Sequence, residues 1–323
     1  MDFTLTETQR ELAALTRKIL DSSDSPWADL VKSGVVPEDP AEFGVLEHCA
    51  VQVELGRAVA AVPYLPTVLA QQALAQFDTP RPGTVLSVAL AEDQNGAKTT
   101  VPFATAASAF LVAHHGQVFL VEADQLDVTA QELVDGTEAG TFEFSGGRLI
   151  EGLTPEWLST RYTVGLCAFQ LGVTERALEL TAEYARTRVQ FDRPIGSFQA
   201  VAQRLADAYI DVAAIRLTLW QAAWRLSAGL AADAEVATAK FWAADAGHRV
   251  AHTAVHVHGG TGIDMSHEVH RYFTAAKRAE FELGGATAQL LKLGNLLPDE
   301  VTDNRTAGPP ASLEKQAGPA HNL

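Results

Sequence analysis

Cysteine is nearly absent from this chain: the two in 323 residues, Cys49 and Cys167, both lie in apolar stretches of helical character. That excludes a disulfide framework and fits reduced thiols inside a core. Long hydrophobic runs are missing too, none reaching the roughly 18 residues of a membrane-spanning helix. The opening MDFTLTETQRELAALTRK carries an acid at once and leads to no cleavage site, so a cytoplasmic protein without a secretory leader is expected. Positive charge is scarce. Lys+Arg 24 against Asp+Glu 40 leaves a formal net charge of −16, a field that repels nucleic acid and anionic lipid, and no basic patch overrides it. Hydrophobic residues at 47% and charged residues at 20% exclude collagen-like, low-complexity and wholly disordered chains.

The length suits two or three domains. Thr6 and Gln9 stand at capping-box spacing before Leu12, Leu15 and Ile19, and residues 45–60 and 65–77 also read as helices, interrupted at Pro63 and Pro66. From Thr84 the segments TVLSVAL, AFLVAHH, QVFLVEA and TFEFSG are short, β-branched or aromatic, and separated by Asn-Gly, His-Gly and Gly-Gly turns. From Thr154 and Pro155 the 3.6-residue period returns and lasts to Leu297. One stripe is Leu166, Phe169, Val173, Ala177, Leu180 and Tyr184; a second is Val201, Leu205, Ala208, Val212, Ile215, Leu219 and Ala222, the seam of a long bundle helix. The pattern predicts a mainly α protein with a small β-domain: helical residues 1–83, an antiparallel β-domain at 84–150, a helical bundle at 151–299, and a disordered tail at 300–323.

The most informative stretch is RTRVQFDRPIGSFQAVAQRLAD, residues 186–207. A helix is predicted to end near Arg188, Pro194 and Gly196 to turn the chain, and Ser197 to cap a second helix beginning at Phe198 and Gln199. A guanidinium at such a corner can grip a pyrophosphate, with Phe191 against an adjacent ring and the Gln199 amide on a polar edge. The plainer reading has Arg188 satisfying helix-terminal carbonyls and Phe191 packing in the core. The second stretch is HVHGGTGI, residues 256–263, where Gly259 and Gly260 allow a close backbone approach that suits a phosphate, or form an ordinary turn. It matches neither the dinucleotide fingerprint nor the P-loop.

A metal offers a rival use of the same helices. His248, His252 and His256 recur every four residues, and Asp245/His248 and Asp264/His267 have the spacing of bundle di-metal sites, though the additional inward glutamates of that architecture are not evident. Otherwise these histidines belong to a helix–helix or subunit seam. The acid pairs Glu179/Glu183 and Asp207/Asp211 read as solvated faces or ion-pair partners, for instance of Arg204.

Helices, a small β-domain and then a bundle carrying R-x-x-F-x-x-P-I-x-x-F-Q and H-G-G-x-G together resemble the acyl-CoA dehydrogenases, as does VELGRAVAAVPYLPT at residues 53–67. The resemblance spans about residues 1–297. It implies FAD as cofactor, an acyl-CoA substrate desaturated at its 2,3 bond, an electron-transfer flavoprotein as possible acceptor, and cofactor contacts at Arg188, Phe191, Gln199, His256, Gly259 and Gly260. His256 stands where the family commonly has Gln.

Two demands of that chemistry are not met by the sequence. The family's base is the Glu of a Tyr-Glu-Gly-Thr-like phrase; here the phrase is Glu282-Leu283-Gly284-Gly285-Ala286-Thr287, so the base position falls on Leu283 or Gly284, with Glu282 a displaced alternative. A second location used by some members falls near Leu171. The flavin platform reads Ala91-Glu92-Asp93-Gln94-Asn95-Gly96-Ala97, without the family's Thr-Glu-Pro and Gly-Ser-Asp loops, and the β-domain is short. The phrase from His258 to Tyr272 followed by a base-less Leu283-Gly284-Gly285 resembles the short subunits of actinobacterial heteromeric, two-plus-two, steroid-degrading members. This implies a paralogous partner that carries the base and most flavin contacts. The alternatives are a homo-oligomeric dehydrogenase using Glu282 and a non-catalytic binding relative.

Overall fold

The computed structural model describes residues 4–80, 83–91 and 96–297. Helices α1 (Glu7–Ser22), α2 (Pro26–Lys32), α3 (Val45–Ala58) and α4 (Tyr64–Gln76) open the chain. The predicted capping box closes α1: Gln9 N–H donates to the Thr6 hydroxyl at 3.3 Å, and the Gln9 side chain accepts from Thr6 N–H at 3.0 Å. The sequence pattern gives no sign of α2, whose seven residues are too few to show a period.

Nine strands follow in the middle of the chain and at one later turn: β1 (Leu86–Ala89), β2 (Lys98–Pro102), β3 (Ala109–His114), β4 (Gln117–Glu122), β5 (Thr129–Glu132), β6 (Glu138–Phe142), β7 (Arg148–Leu149), β8 (Val189–Gln190) and β9 (Arg193–Pro194), counted among the described residues. Three of the strand-like segments of the sequence fall on β1, β3 and β4, and the fourth, TFEFSG, overlaps only the end of β6 at residues 141–142. The first seven strands build two sheets, ordered β1-β3-β4-β7 and β2-β6-β5. One pairing departs from the antiparallel expectation: β1 runs parallel to β3, with Leu86 opposite Ala109. The chain leaves the first sheet to form β2 in the second before returning as β3, and such a crossover permits parallel neighbours where a hairpin would not.

Alternation along β3 fixes the layers. Ala109 and Leu111 face α4 and the next helix, whereas Phe110 and Val112 face the second sheet, where Phe110 meets Phe142 edge-on at 5.1 Å. Apolar residues on both faces explain why this strand reads as a continuous hydrophobic run.

The bundle comprises α5 (Pro155–Thr187), α6 (Gln199–Ser227), α7 (Asp233–His258), α8 (Glu268–Phe281) and α9 (Ala286–Asn295). Thr154 caps α5 by accepting from Trp157 N–H at 3.2 Å. α3 crosses α5 at two glycines: a Cβ on Gly56 would lie 2.0 Å from Phe169 O, and one on Gly172 1.9 Å from Val53 O. The two backbones therefore meet only because no side chain intervenes. On α6 the seam is buried from Ala208 through Val212, Ile215, Leu219 and Ala222, while Val201 and Leu205 are half-buried.

Two buried polar groups of the bundle find partners on neighbouring helices. Lys240 Nζ donates to Ala279 O at 2.6 Å and Glu280 O at 3.0 Å, closing the end of α8 from inside. Asp211, read as a solvated-face residue or an ion-pair partner, takes the second role: it is only 8% exposed and accepts from Arg249 Nη2 at 2.6 Å. Cys49 and Cys167 are buried free thiols, and burial pushes both upward, Cys167 to about 12. Among the described residues no helix is long and apolar enough to cross a membrane. The tail expected at 300–323 lies outside the described residues.

Candidate functional site

Three places in the fold bear on the sequence motifs: a hairpin corner between α5 and α6, a glycine corner after α7, and a cleft between the β-domain and the end of α8. At the first, α5 stops at Thr187 and Arg188 N–H donates to Tyr184 O at 2.8 Å. The chain reverses through β8 and β9 around Phe191 and Asp192, whose φ angles of 52° and 63° are those of a two-residue type I′ turn. Glycine, asparagine and aspartate are the usual occupants. A phenylalanine held there costs on the order of 1–2 kcal/mol, and at 86% exposure it gains no burial within this chain. The core reading of Phe191 is thereby overturned.

The rest of the corner is built to hold that hairpin in place. Ile195 N–H donates to Arg188 O at 2.8 Å, Arg193 lies over the Phe198 ring at 4.1 Å, and Phe198 meets Phe191 edge-on at 6.1 Å. Ser197 is not the cap that the sequence predicts: its hydroxyl donates to Pro194 O at 2.7 Å, and Phe198 precedes the helix with no side-chain cap. A 3-10 turn at Ile195–Ser197 uses the serine first. Gln199 is consequently the first residue of the 29-residue α6, exposed beside uncapped N–H groups. Arg188 is exposed, and among the described residues its guanidinium makes no hydrogen bond to a carbonyl and no ion pair, so the reading in which it caps helix-terminal carbonyls is not realised.

The glycine corner lies at the same end of the bundle. His258, the last residue of α7, stacks on Tyr184 in the last turn of α5 at 4.2 Å, and its Nδ1 lies 2.8 Å from Ala254 O. Burial lowers its pKa, favouring a neutral ring for the stack. Gly259 then turns with φ 63° and ψ −140°, a conformation open essentially to glycine alone. Added Cβ atoms at Gly259 or Gly260 would meet nothing within 4 Å, so this backbone faces open space. His256 is exposed one turn earlier.

The third place is a cleft of about 280 Å³ lined by Val88, Leu90, Thr99, Tyr162, Glu282 and Leu283, among others. Leu283, one of the two positions, with Gly284, on which the family's base is expected to fall, has φ 58° and packs against the core shared by α4, β1 and α5. Leu171, near which the second base location is expected, is 1% exposed within the bundle core. Glu282 has both oxygens occupied, accepting from Tyr162 Oη at 3.0 Å and from Arg278 Nη1 at 2.7 Å. Burial pulls the Arg278 guanidinium down, but Glu282 and Asp135 together outweigh it and hold its pKa above the usual value. Of the platform phrase, residues 92–95 lie outside the described residues.

A flavin dinucleotide fits these two regions unequally. The cleft falls below the roughly 300–1,000 Å³ of ordinary small-molecule sites, and its Tyr162 hydroxyl and Glu282 carboxylate are engaged with each other. The corner end offers what a diphosphate requires: an unpaired arginine fork, uncapped helix N–H groups and approachable glycine backbone.

Asp245, His248 and His252 of the metal alternative are otherwise engaged. Asp245 pairs with Arg249, His248 Nδ1 lies 2.6 Å from Lys277 Nζ and 3.1 Å from Glu280, and His252 leans on the His248 ring at 4.3 Å. Among the described residues no group of three or more His, Cys, Asp or Glu side chains could hold an ion. Sequence reasoning missed the Arg278–Asp135 pair, which joins residues far apart in the chain, and the burial of Lys240 and Asp211, which occur within amphipathic patterns.

Residues 161–294 match the family model for the acyl-CoA dehydrogenase C-terminal domain. The chain is 44% identical to acyl-CoA dehydrogenase FadE27 of Mycobacterium tuberculosis, over 93% of this chain and 99% of the relative. The 370 aligned positions exceed the 323 residues present here, so the relative contains residues this chain lacks. Among solved structures, a chain of the ChsE4–ChsE5 complex from Mycobacterium tuberculosis superposes with a TM-score of 0.84 at 44% identity, covering 92% of this chain and 100% of the other. A chain of the Tcur3481–Tcur3483 steroid acyl-CoA dehydrogenase, in a G363A variant, gives 0.83 at 33% identity, covering 94% and 100%. The fold, the two bundle corners and full-length similarity agree: the chain belongs to the acyl-CoA dehydrogenases, FAD-dependent oxidoreductases that act on the CH–CH bond of acyl-CoA thioesters.

Proposed function

We propose that this chain is the non-base subunit of a heteromeric acyl-CoA dehydrogenase, completing a FAD site carried mainly by a paralogous partner. The observation that supports it most is an asymmetry. The positions expected for the base hold Leu283, packed against the core, and Gly284, whereas Arg188, Phe191, Gln199, Gly259 and Gly260 are exposed at one end of the bundle. A strained, outward-facing phenylalanine fits a contact made outside the chain.

FAD, when bound, supplies the acceptor for the hydride leaving the β-carbon. The roles assigned to this chain are binding and orientation. Arg188 neutralises diphosphate oxygens through its planar fork, and the first N–H groups of α6 add donors of the same polarity. Phe191 covers a ring, Gln199 and His256 meet polar edges, and the backbone at Gly259 and Gly260, free of side chains, lets the dinucleotide lie close. The proton at the α-carbon is assigned to a carboxylate of the partner, since Glu282 is held by Arg278 and Tyr162.

The similarity to a chain of a steroid acyl-CoA dehydrogenase favours a steroid-derived acyl group, for which loss of a second active site would leave room. An electron-transfer flavoprotein remains the proposed acceptor. Co-expression with the paralogous long subunit tests the reading: a yellow complex with equal numbers of each chain is expected, and a colourless preparation of this chain alone. Yellow colour and enoyl-CoA formation by this chain alone would favour the homo-oligomeric alternative. A colourless complex would favour the non-catalytic one.

A further inference from the structure

On another face of α5 lies an arginine for which the flavin reading has no use. Arg161 is half-buried, and its guanidinium stacks on Trp157, one turn earlier, at 4.0 Å. Among the described residues it meets no acid, in a chain whose formal charge is −16. Partly buried cations are ordinarily paired, because desolvation is otherwise uncompensated.

Arg161 stands where two spaces join. An outer cleft of about 400 Å³ is walled by Phe43, Trp157 and Leu226, and an inner chamber of about 30 Å³ reaches His48; Val45, Gln72 and Arg161 line both. His48 is 7% exposed, and its Nδ1 lies 2.9 Å from Tyr64 Oη while its Nε2 has no partner. The outer space is the size of an ordinary small-molecule site, and the inner one holds a water or a single ligand oxygen.

We propose that this cleft binds an organic carboxylate: the anion on the Arg161 fork, its apolar body between Phe43 and Trp157, and His48 Nε2 hydrogen-bonded at the inner end through a water or ligand oxygen. The lining contains one cation and no lysine, which matches a monoanion better than a phosphate dianion. Aromatic and aliphatic walls on both sides of the charge suit a ligand with an apolar body rather than a bare inorganic ion.

Isothermal titration of the assembled complex with sodium benzoate, and separately with inorganic phosphate, tests this. Benzoate is expected to bind, and Arg161→Gln to weaken it by about tenfold or more, as loss of a charged hydrogen-bonding partner does. Trp157→Leu is expected to weaken it also, with circular dichroism and flavin content unchanged in both variants. Since the Arg161 side chain makes no hydrogen bond among the described residues, its replacement is compatible with folding; the wild-type titration is decisive even if it is not. Absence of benzoate binding, or equal affinity in Arg161→Gln, overturns the site. Phosphate binding as tightly as benzoate overturns the carboxylate assignment. Neither result bears on the flavin corner, whose failure would appear as loss of colour.

Discussion

Arg278 donates through Nη1 to the Glu282 carboxylate one helical turn later at 2.7 Å, and through Nε to Asp135 of the β-domain at 2.6 Å. One buried cation thus ties the end of α8 to the loop between β5 and β6. Its Cζ also lies 5.1 Å from the Phe169 ring centre. Glu282 of this cluster lines the cleft beside the positions expected for the family's base, and the cluster binds two parts of the fold together.

Replacing Arg278 with leucine would leave Asp135 and Glu282 without their cation. A loss of about 3–5 kcal/mol is expected, the usual cost of breaking a buried pair from one side. Denaturant unfolding measures it. Glu282→Gln keeps the shape of the cluster and removes only the charge, so turnover by the assembled complex should stay within about twofold of wild type. A base would show a fall of about 10²–10⁴.

Gly172→Ala places a methyl group where Val53 O stands 1.9 Å away. Neither backbone can retreat without unpacking α3 from α5, so a destabilisation of about 1–3 kcal/mol is expected from overpacking. Thermal unfolding of the variant should show a lower midpoint, with no change in any flavin contact.

How much of this was legible in the sequence depends on the range of the interaction concerned. Periodicity reports a helix's buried face, so α3 to α9 and the seam from Ala208 to Ala222 followed from local pattern. Tyr184 belonged to a predicted stripe, but its stack on His258 depends on how α5 and α7 pack, which no local pattern contains. The type I′ turn at Phe191 and Asp192 was hidden for a different reason. Its first position holds phenylalanine in place of a usual turn residue, so the strain is visible only in the backbone. Ser197 shows a third case, because the same hydroxyl could serve either the helix or the preceding turn, and the choice rests on the path of the chain through Gly196, whose added Cβ would lie 3.0 Å from Ala185 O.

His48 gives a pH dependence of definite sign. Burial lowers its pKa to about 4, from 6.5 in the unfolded chain. Between those values the unfolded state binds a proton that the folded state does not, so the stability present above pH 6.5 is lost as pH falls toward 4. The full contribution is about 3 kcal/mol. Denaturant titrations of wild type and His48→Gln across that window should differ in slope by about one proton, with wild type the steeper.

The central claim is that this chain lends its Arg188 to a flavin seated mainly on another subunit. Flavin absorbance per heteromeric complex, compared between wild type and Arg188→Ala at matched protein concentration and unchanged circular dichroism, measures it directly. The account requires a colourless isolated chain, a yellow wild-type complex, and a mutant complex that assembles yet retains clearly less FAD. Full flavin content in the Arg188→Ala complex would contradict it.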